Sequence, residues 1–423
     1  MISIGSIVNL SVRSGYNRRL TVALTIFAIA ISVMLILGVE KVRQDAKRSF
    51  ANTISGTDLI IGARSGSIQL LLYSVFRIGN ATNNISWKSY RAVAGRKDVK
   101  WTIPISLGDS HRGFRVMGTS EDYFRYYQYG QKRNLNFGTG RPFNDIFDTV
   151  LGAEVAAKLG YELGQKIIID HGLGTGGFTK HKDKPFRIVG ILNRTGTPVD
   201  RTVHVSLEGI TAIHVDWKRG ARVPGMTIDA EAVRKMDLTP RSITAFMVGL
   251  SSRLSAFQAL REINNFRGEP LLAILPGVAL QELWGLMDTA ESALSAISIL
   301  VVFGGLLGML TMLLANLNQR RREMAVLRAI GARPEHVGAM FLIEAILITL
   351  AGCIVGLLFL YICMATLQPI IEVRLGLFIP ITSPSFDEWL ILGVILGAAS
   401  FTGLVPAFLA YRQSLSDGMA LRM

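Results

Sequence analysis

Four long apolar runs dominate this chain, and a backbone buried in hydrocarbon has few ways to fold. Lipid offers no partner for a peptide N–H or C=O, so such a run must close its own hydrogen bonds as a helix. The first run spans residues 20–39 without a single charge. At about 1.5 Å per residue its length matches a hydrocarbon core of about 30 Å. The others cover residues 292–316, 340–367 and 389–411. Charges inside them are almost absent, since each would cost about 2.5–3.5 kcal/mol at mid-membrane. Trp389 and Tyr411 bracket the last run, as interfacial aromatics do. Arg13, Arg18 and Arg19 precede the first run, but no small-x-small cleavage site follows it, so it reads as an uncleaved signal anchor.

The short loops set the orientation. Residues 317–339 carry Arg320, Arg321, Arg322, Arg328 and Arg333 against Glu323 and Glu335. Residues 368–388 carry Arg374 against Glu372, Asp387 and Glu388. The positive-inside rule therefore predicts that 317–339 is cytoplasmic, along with residues 1–19 and the tail 412–423. Ile4, Ile7, Val8 and Leu10 fall near helical spacing, so the first segment reads either as an amphipathic helix on the inner surface or as a frayed end. Residues 40–291 are then extracytoplasmic. The expected class is an α-helical membrane protein: four transmembrane helices, with a large α+β extracytoplasmic domain inserted between helices 1 and 2, in the inner (plasma) membrane.

Within residues 40–291, strand-like runs recur at 57–61, 99–105, 114–117, 166–169, 186–191, 202–205 and 244–250. Helical patterns cover 87–94, 152–159 and 255–265. Two lobes are expected, the middle one at about residues 100–225 and mostly strand. No breaker lies between Gly285 and Ser292, so a helix is predicted from about Leu280 directly into the second run.

Composition narrows the function. A net charge of +14 is compatible with nucleic acid, but the basic residues are scattered or flank apolar runs, where anionic lipid headgroups attract them equally well. No nucleic-acid partner is expected. Gly172, Gly174 and Gly177 satisfy G-x-G-x-x-G, yet Lys180–Pro185 follows in place of the required helix, so a hairpin loop is the better reading. His111, His171, His181, His204 and His214 match no short-range ligand spacing, and no metal site is predicted. No catalytic pattern stands out, so a non-catalytic chain without a directly bound cofactor is expected. Cys353 and Cys363 share one apolar run and are too far apart along a helix for a disulfide.

Three glycine pairs at four-residue spacing, Gly304 with Gly308, Gly352 with Gly356 and Gly393 with Gly397, are candidate helix-packing sites. Glu344 lies one turn into the third run, where an ionisable group is a functional candidate. A structural or coupling role is expected for it, with Arg328 a possible partner, and no proton relay.

The most informative stretch is NQRRREMAVLRAIGARP, residues 318–334. Met324 with Leu327, and Val326 with Ile330, fall at three- and four-residue spacing, and Gly331 is a helix stop before Pro334. A merely basic loop would explain the arginines. It would not explain an apolar stripe, which in water needs something to cover it. Here the sequence resembles the FtsX-like permease family, which includes the macrolide-exporter and lipoprotein-release types of ABC transporter. The resemblance rests on residues 321–333 followed by FLIEAILITLAG (341–352), and on VLGAEVAAKLGYELGQKIII (150–169) with FRIVGIL (186–192).

The resemblance implies a dimer of permeases bound to a dimer of ABC ATPase subunits. Arg321, Arg322, Glu323, Met324, Leu327, Arg328, Ile330, Gly331, Ala332 and Arg333 would dock the ATPase and pass its movement to the outer domain. The cargo would be hydrophobic or lipid-linked, with a periplasmic adaptor or lipoprotein carrier and membrane lipids as further partners. Macrolide exporters carry an ATPase before the first span, whereas about 19 residues precede it here and G-x-x-x-x-G-K-[ST] is absent. ATP and Mg are therefore expected on a separate partner. The alternative within the family is a regulator that activates an extracytoplasmic enzyme without transport. Its outer domain is generally smaller.

Overall fold

In the computed structural model, residues 18–172, 183–218, 221–222, 228–319, 332–375 and 381–412 are described, with the isolated positions 324, 326 and 329. The chain divides into two compact units. One comprises residues 1–45, 288–373 and 379–423, and the other residues 46–287 and 374–378.

Among the described residues, the first unit is built on four helices long and apolar enough to cross a membrane. They lie in α1 (Arg19–Thr53), α6 (Pro276–Gln319), α7 (Pro334–Leu375) and α8 (Phe386–Arg412). All four outrun the apolar runs that announce them. Helix α1 continues past Val39 through EKVRQDAK, because charges end a hydrophobic run without ending a helix. Helix α6 starts at Pro276, four residues before the expected point, with proline in the first turn where its missing N–H costs nothing. Ile29, Val33, Leu37, Met309, Leu313, Phe341, Ala345, Leu392 and Ala399 form the centre of the apolar core that packs these helices together.

Among the described residues, the second unit is organised by one eleven-stranded sheet. Its strands are β1 (Leu59–Ala63), β2 (Val99–His111), β3 (Phe114–Thr119), β4 (Phe137–Gly140), β5 (Asp148–Leu151) and β6 (Lys166–Ile167). They continue with β7 (Asp170–His171), β8 (Phe186–Leu192), β9 (Thr202–Ser206), β10 (Ala245–Leu250) and β11 (Leu271–Ile274). The main path runs β11-β1-β10-β2-β3-β9-β5-β8-β4, with β7 on β2 and β6 on β8. Pairing is antiparallel except for β3 with β9 and β5 with β8.

The sheet is continuous from one expected lobe to the other. Strand β2, thirteen residues long, pairs β10 with its first half and β3 with its second, and so carries one ladder through both. The cores still differ. Helices α2 (Trp87–Ala94) and α5 (Ala256–Asn264) cover Leu59, Ile61, Phe246 and Val248, while α3 (Ala153–Leu159) and α4 (Leu207–Ile213) cover Leu151, Ile188, Val203 and Val205. Strand alternation sends Ile60, Ile103, Ile105 and Met247 to a third cluster with Tyr73, Tyr123 and Tyr127. Close approach explains Gly249, where an added Cβ would fall 2.1 Å from the Trp101 ring.

His204 on β9 is fully buried beside Tyr123, its Nδ1 3.2 Å from the Val150 carbonyl oxygen. Burial, reinforced by the Arg77 guanidinium, lowers its pKa to about 3. The unfolded chain accepts this proton near pH 6.5, whereas the folded chain accepts it only near pH 3. Stability contributed by neutral His204 is therefore present above pH 6.5 and is lost as pH falls toward 3. At about 1.4 kcal/mol per unit, the loss is on the order of 4 kcal/mol. Denaturant unfolding followed at pH 7 and pH 4 should show a smaller acid loss in His204→Phe than in the unmodified chain. Equal losses would refute this assignment.

Candidate functional site

Polar chemistry in the helical unit gathers where apolar runs meet charge. Where the apolar run of α1 ends, Lys41 donates a 2.7 Å hydrogen bond to Thr382 Oγ1 and lies 3.5 Å from Glu388 Oε1 on α8. The Lys41 and Glu388 side chains are only 4% and 1% exposed, so this ion pair is shielded even though its geometry falls short of a good hydrogen bond. Beside it, Arg43 and Gln44 each donate 2.6 Å bonds to Glu40, and Gln44 donates at 3.1 Å to Asp387. Arg43 also lies 3.8 Å from Glu291 on α6. Helices α1, α6 and α8 are thus tied by one mixed-charge cluster. At the other end of α1, Arg18 donates to Asn316.

The apolar stretches between these ends pack through small residues. A Cβ added at Gly352 would meet Ile29 at 2.6 Å, and one at Gly356 would meet the Ala30 carbonyl oxygen at 2.7 Å. Glycine at both lets α7 approach α1. Gly304, Gly308, Gly393 and Gly397 differ: nothing among the described residues lies within 4 Å of an added Cβ there. Pattern alone could not separate the cases, because four-residue spacing records a face and not what faces it. The contacts missed in sequence are Ser32, which donates to the Val301 carbonyl at 3.1 Å beside Gly305, and Gly403, against Ala345.

Of the predicted coupling residues, Arg321, Arg322, Glu323, Leu327, Arg328, Ile330 and Gly331 lie outside the described residues. Met324 is buried in the helical core, whereas Val326 is 62% exposed. Ala332 is buried. Exposed Arg333 pairs with Glu335 at 3.4 Å, and its backbone N–H donates to His336 Nδ1. Glu344 is buried on α7. Of the fingerprint glycines, Gly172 sits at φ +86°, while Gly174 and Gly177 lie outside the described residues. Among the histidines, His111 is held by the Ile168 carbonyl and Tyr161 and His204 is sealed in the core, whereas His171 and His214 meet at Asp109.

Removing one member of a shielded ion pair leaves a stranded charge, at a cost of about 3–5 kcal/mol. Glu388→Gln and Lys41→Met should each lower the unfolding midpoint in detergent, and Lys41→Met/Glu388→Leu should recover most of the loss. A strictly additive double variant would show that the two side chains are not coupled. Gly356→Leu should likewise destabilise the bundle by about 1–3 kcal/mol through overpacking, and Gly304→Leu should not.

Comparison with known proteins accords with this architecture. A family model described as "MacB-like periplasmic core domain" matches residues 22–265, and one described as "FtsX-like permease C-terminal" matches residues 295–415. The Macrolide export ATP-binding/permease protein MacB of Nitrobacter winogradskyi is 24% identical over 414 residues, covering 94% of this chain and 57% of the relative. The protein of the same name from Azoarcus sp. is 23% identical, covering 93% and 55%. The chain therefore spans little more than half the length of these relatives. Among solved structures, the periplasmic region of MacB from Actinobacillus actinomycetemcomitans aligns with a TM-score of 0.33 and 12% identity, covering 55% of this chain and 94% of that one. With one model matching from the first span through most of the outer unit, over more than half of the chain, and the other matching from within the second span to the fourth, this chain belongs to the FtsX-like permease family, of the MacB type.

Proposed function

We propose that the chain is the permease of an ATP-driven transporter that works by transmitting movement to its outer unit. The observation that carries this reading is the pair of family matches, which together reach into all four candidate spans. The names of the relatives, which join ATP binding to a permease, supply the class of energy source. An ABC ATPase with its bound ATP and Mg docks on the arginine-flanked segment 317–339. Two permease copies bring two such segments to two ATPase subunits. Both termini and this segment face the cytoplasm, and the outer unit faces the periplasm or cell exterior.

Met324 and Val326 support the docking role. One is buried in the bundle and the other presents an apolar side chain outward, as a short helix anchored at one side and read by a partner at the other would do. Helices α1 and α6 supply the route for movement, since both extend well beyond what hydrocarbon requires: α6 alone has 44 residues, against about 20 for a span. The cargo is a hydrophobic or lipid-linked molecule handled at the outer unit, with an adaptor or carrier protein to receive it. An outer unit of residues 46–287 favours this reading over the regulator, which generally has a smaller one.

Leu327→Asp and Arg328→Glu test the docking segment. Purified with its ATPase, each variant should lose the complex or its permease-dependent ATP hydrolysis. Normal assembly and turnover in both would refute the assignment. Cysteine labelling should place residue 328 on the opposite side of the membrane from residue 200, and labelling of both from one side would refute the orientation.

A further inference from the structure

We propose that Asp109, His171 and His214 in the outer unit form a binding site for a divalent first-row transition cation, with zinc the best fit. The three residues are distant in sequence and reach one point by separate devices. The register of β2 against β3 shifts between Leu107 and Ser110, a bulge in which Gly108 adopts φ +152°. Bulges re-aim side chains, and Asp109 comes out of this one almost fully buried. Strand β7 pairs antiparallel with this part of β2 and sets His171 directly opposite Asp109. Ser110 Oγ, donating at 2.6 Å to the Gly172 carbonyl, pins that pairing.

His214 comes from the end of α4. Its Nδ1 lies 2.8 Å from the Ile210 carbonyl oxygen, where it donates its N–H. That bond leaves the Nε2 lone pair aimed at the other two residues. A carbonyl holding the far nitrogen of a ligating imidazole is the usual way such a ring is oriented. Just beyond, buried Asp216 accepts from buried Lys184 at 3.1 Å and anchors the turn that carries His214.

The triangle of candidate ligand atoms has edges of 3.0 Å (His171 Nδ1 to Asp109 Oδ1), 3.1 Å (His171 Nδ1 to His214 Nε2) and 3.5 Å (His214 Nε2 to Asp109 Oδ1). Ligands at about 2.0–2.1 Å from a tetrahedral ion are separated by about 3.3 Å. All three edges lie close to that value. Two imidazoles and one carboxylate suit zinc and its first-row neighbours and disfavour calcium and magnesium, which take oxygen. The His171 and His214 side chains are 40% and 25% exposed, which gives an ion a route in and leaves the fourth position open to solvent or to a donor from a partner.

This site stands apart from the transport reading and is tested without ATP. The full chain, purified in detergent and stripped with a chelator, is titrated with zinc against a chromogenic indicator. One zinc per chain is expected. Asp109→Asn and His214→Ala should each bind at least about 100-fold more weakly, beyond the roughly 10–100-fold that outer-shell partners command. Cobalt bound to the unmodified chain should give the intense visible absorption of a four-coordinate site, a readout that does not depend on any variant folding. Failure of the unmodified chain to take up zinc at micromolar concentration would overturn the proposal. So would uptake undiminished in both variants, or a weak cobalt spectrum of the six-coordinate kind.

Discussion

A peptide group that enters hydrocarbon must find its hydrogen-bond partner within its own segment or its immediate neighbours, and the rest of this molecule is arranged around that requirement. It confines four stretches to helix and requires the remaining polar backbone to fold elsewhere. The outer unit is accordingly an insertion between the first and second spans, with its own sheet and cores. Once the helices exist, lipid supplies no hydrophobic drive to join them, so close packing must do so. Gly352 and Gly356 answer that need, because the absence of two Cβ atoms lets α7 meet the Ile29–Val33 face of α1.

Charge follows the same logic. Lys41 and Glu388 sit beside apolar runs, where isolated charges would be expensive, and their proximity offsets part of that expense. With Glu40, Arg43, Gln44, Glu291 and Asp387 they form a cluster on three helices whose order in the chain says nothing about their adjacency. Such a cluster adds directional contacts to a bundle otherwise held by shape. If the helices rearrange in a working cycle, the cluster must either move as a body or exchange partners.

The outer unit obtains stability and chemistry from one long strand. Because β2 pairs with β10, β3 and β7, it joins sections of chain as far apart as Phe114 and Leu250. A strand under so many constraints can carry a bulge without losing register elsewhere, and the bulge is what sets Asp109 against His171. The buried Lys184–Asp216 pair shows that this domain keeps charged groups inside where opposite charge supports them.

Length and hydrophobicity alone determined the four spans, since each exceeds what a soluble fold would leave as one uninterrupted apolar run. Local pattern also located α2 at residues 87–94 and strands such as β8 and β9, whose alternation or β-branched content is strong. It passed over β5, β11 and α4, whose short runs take their state from the neighbours they pair with or cover. Helix ends lie beyond the apolar runs for a related reason: hydropathy measures what dissolves in lipid, and a helix such as α1 continues into water as long as its residues tolerate it. Which glycines meet a neighbouring helix, which acid meets Lys41, and which two of the histidines converge on Asp109 were decided by tertiary structure. Each depends on residues more than forty positions apart, and their approach is set by strand register and helix packing, quantities that no local window of sequence contains.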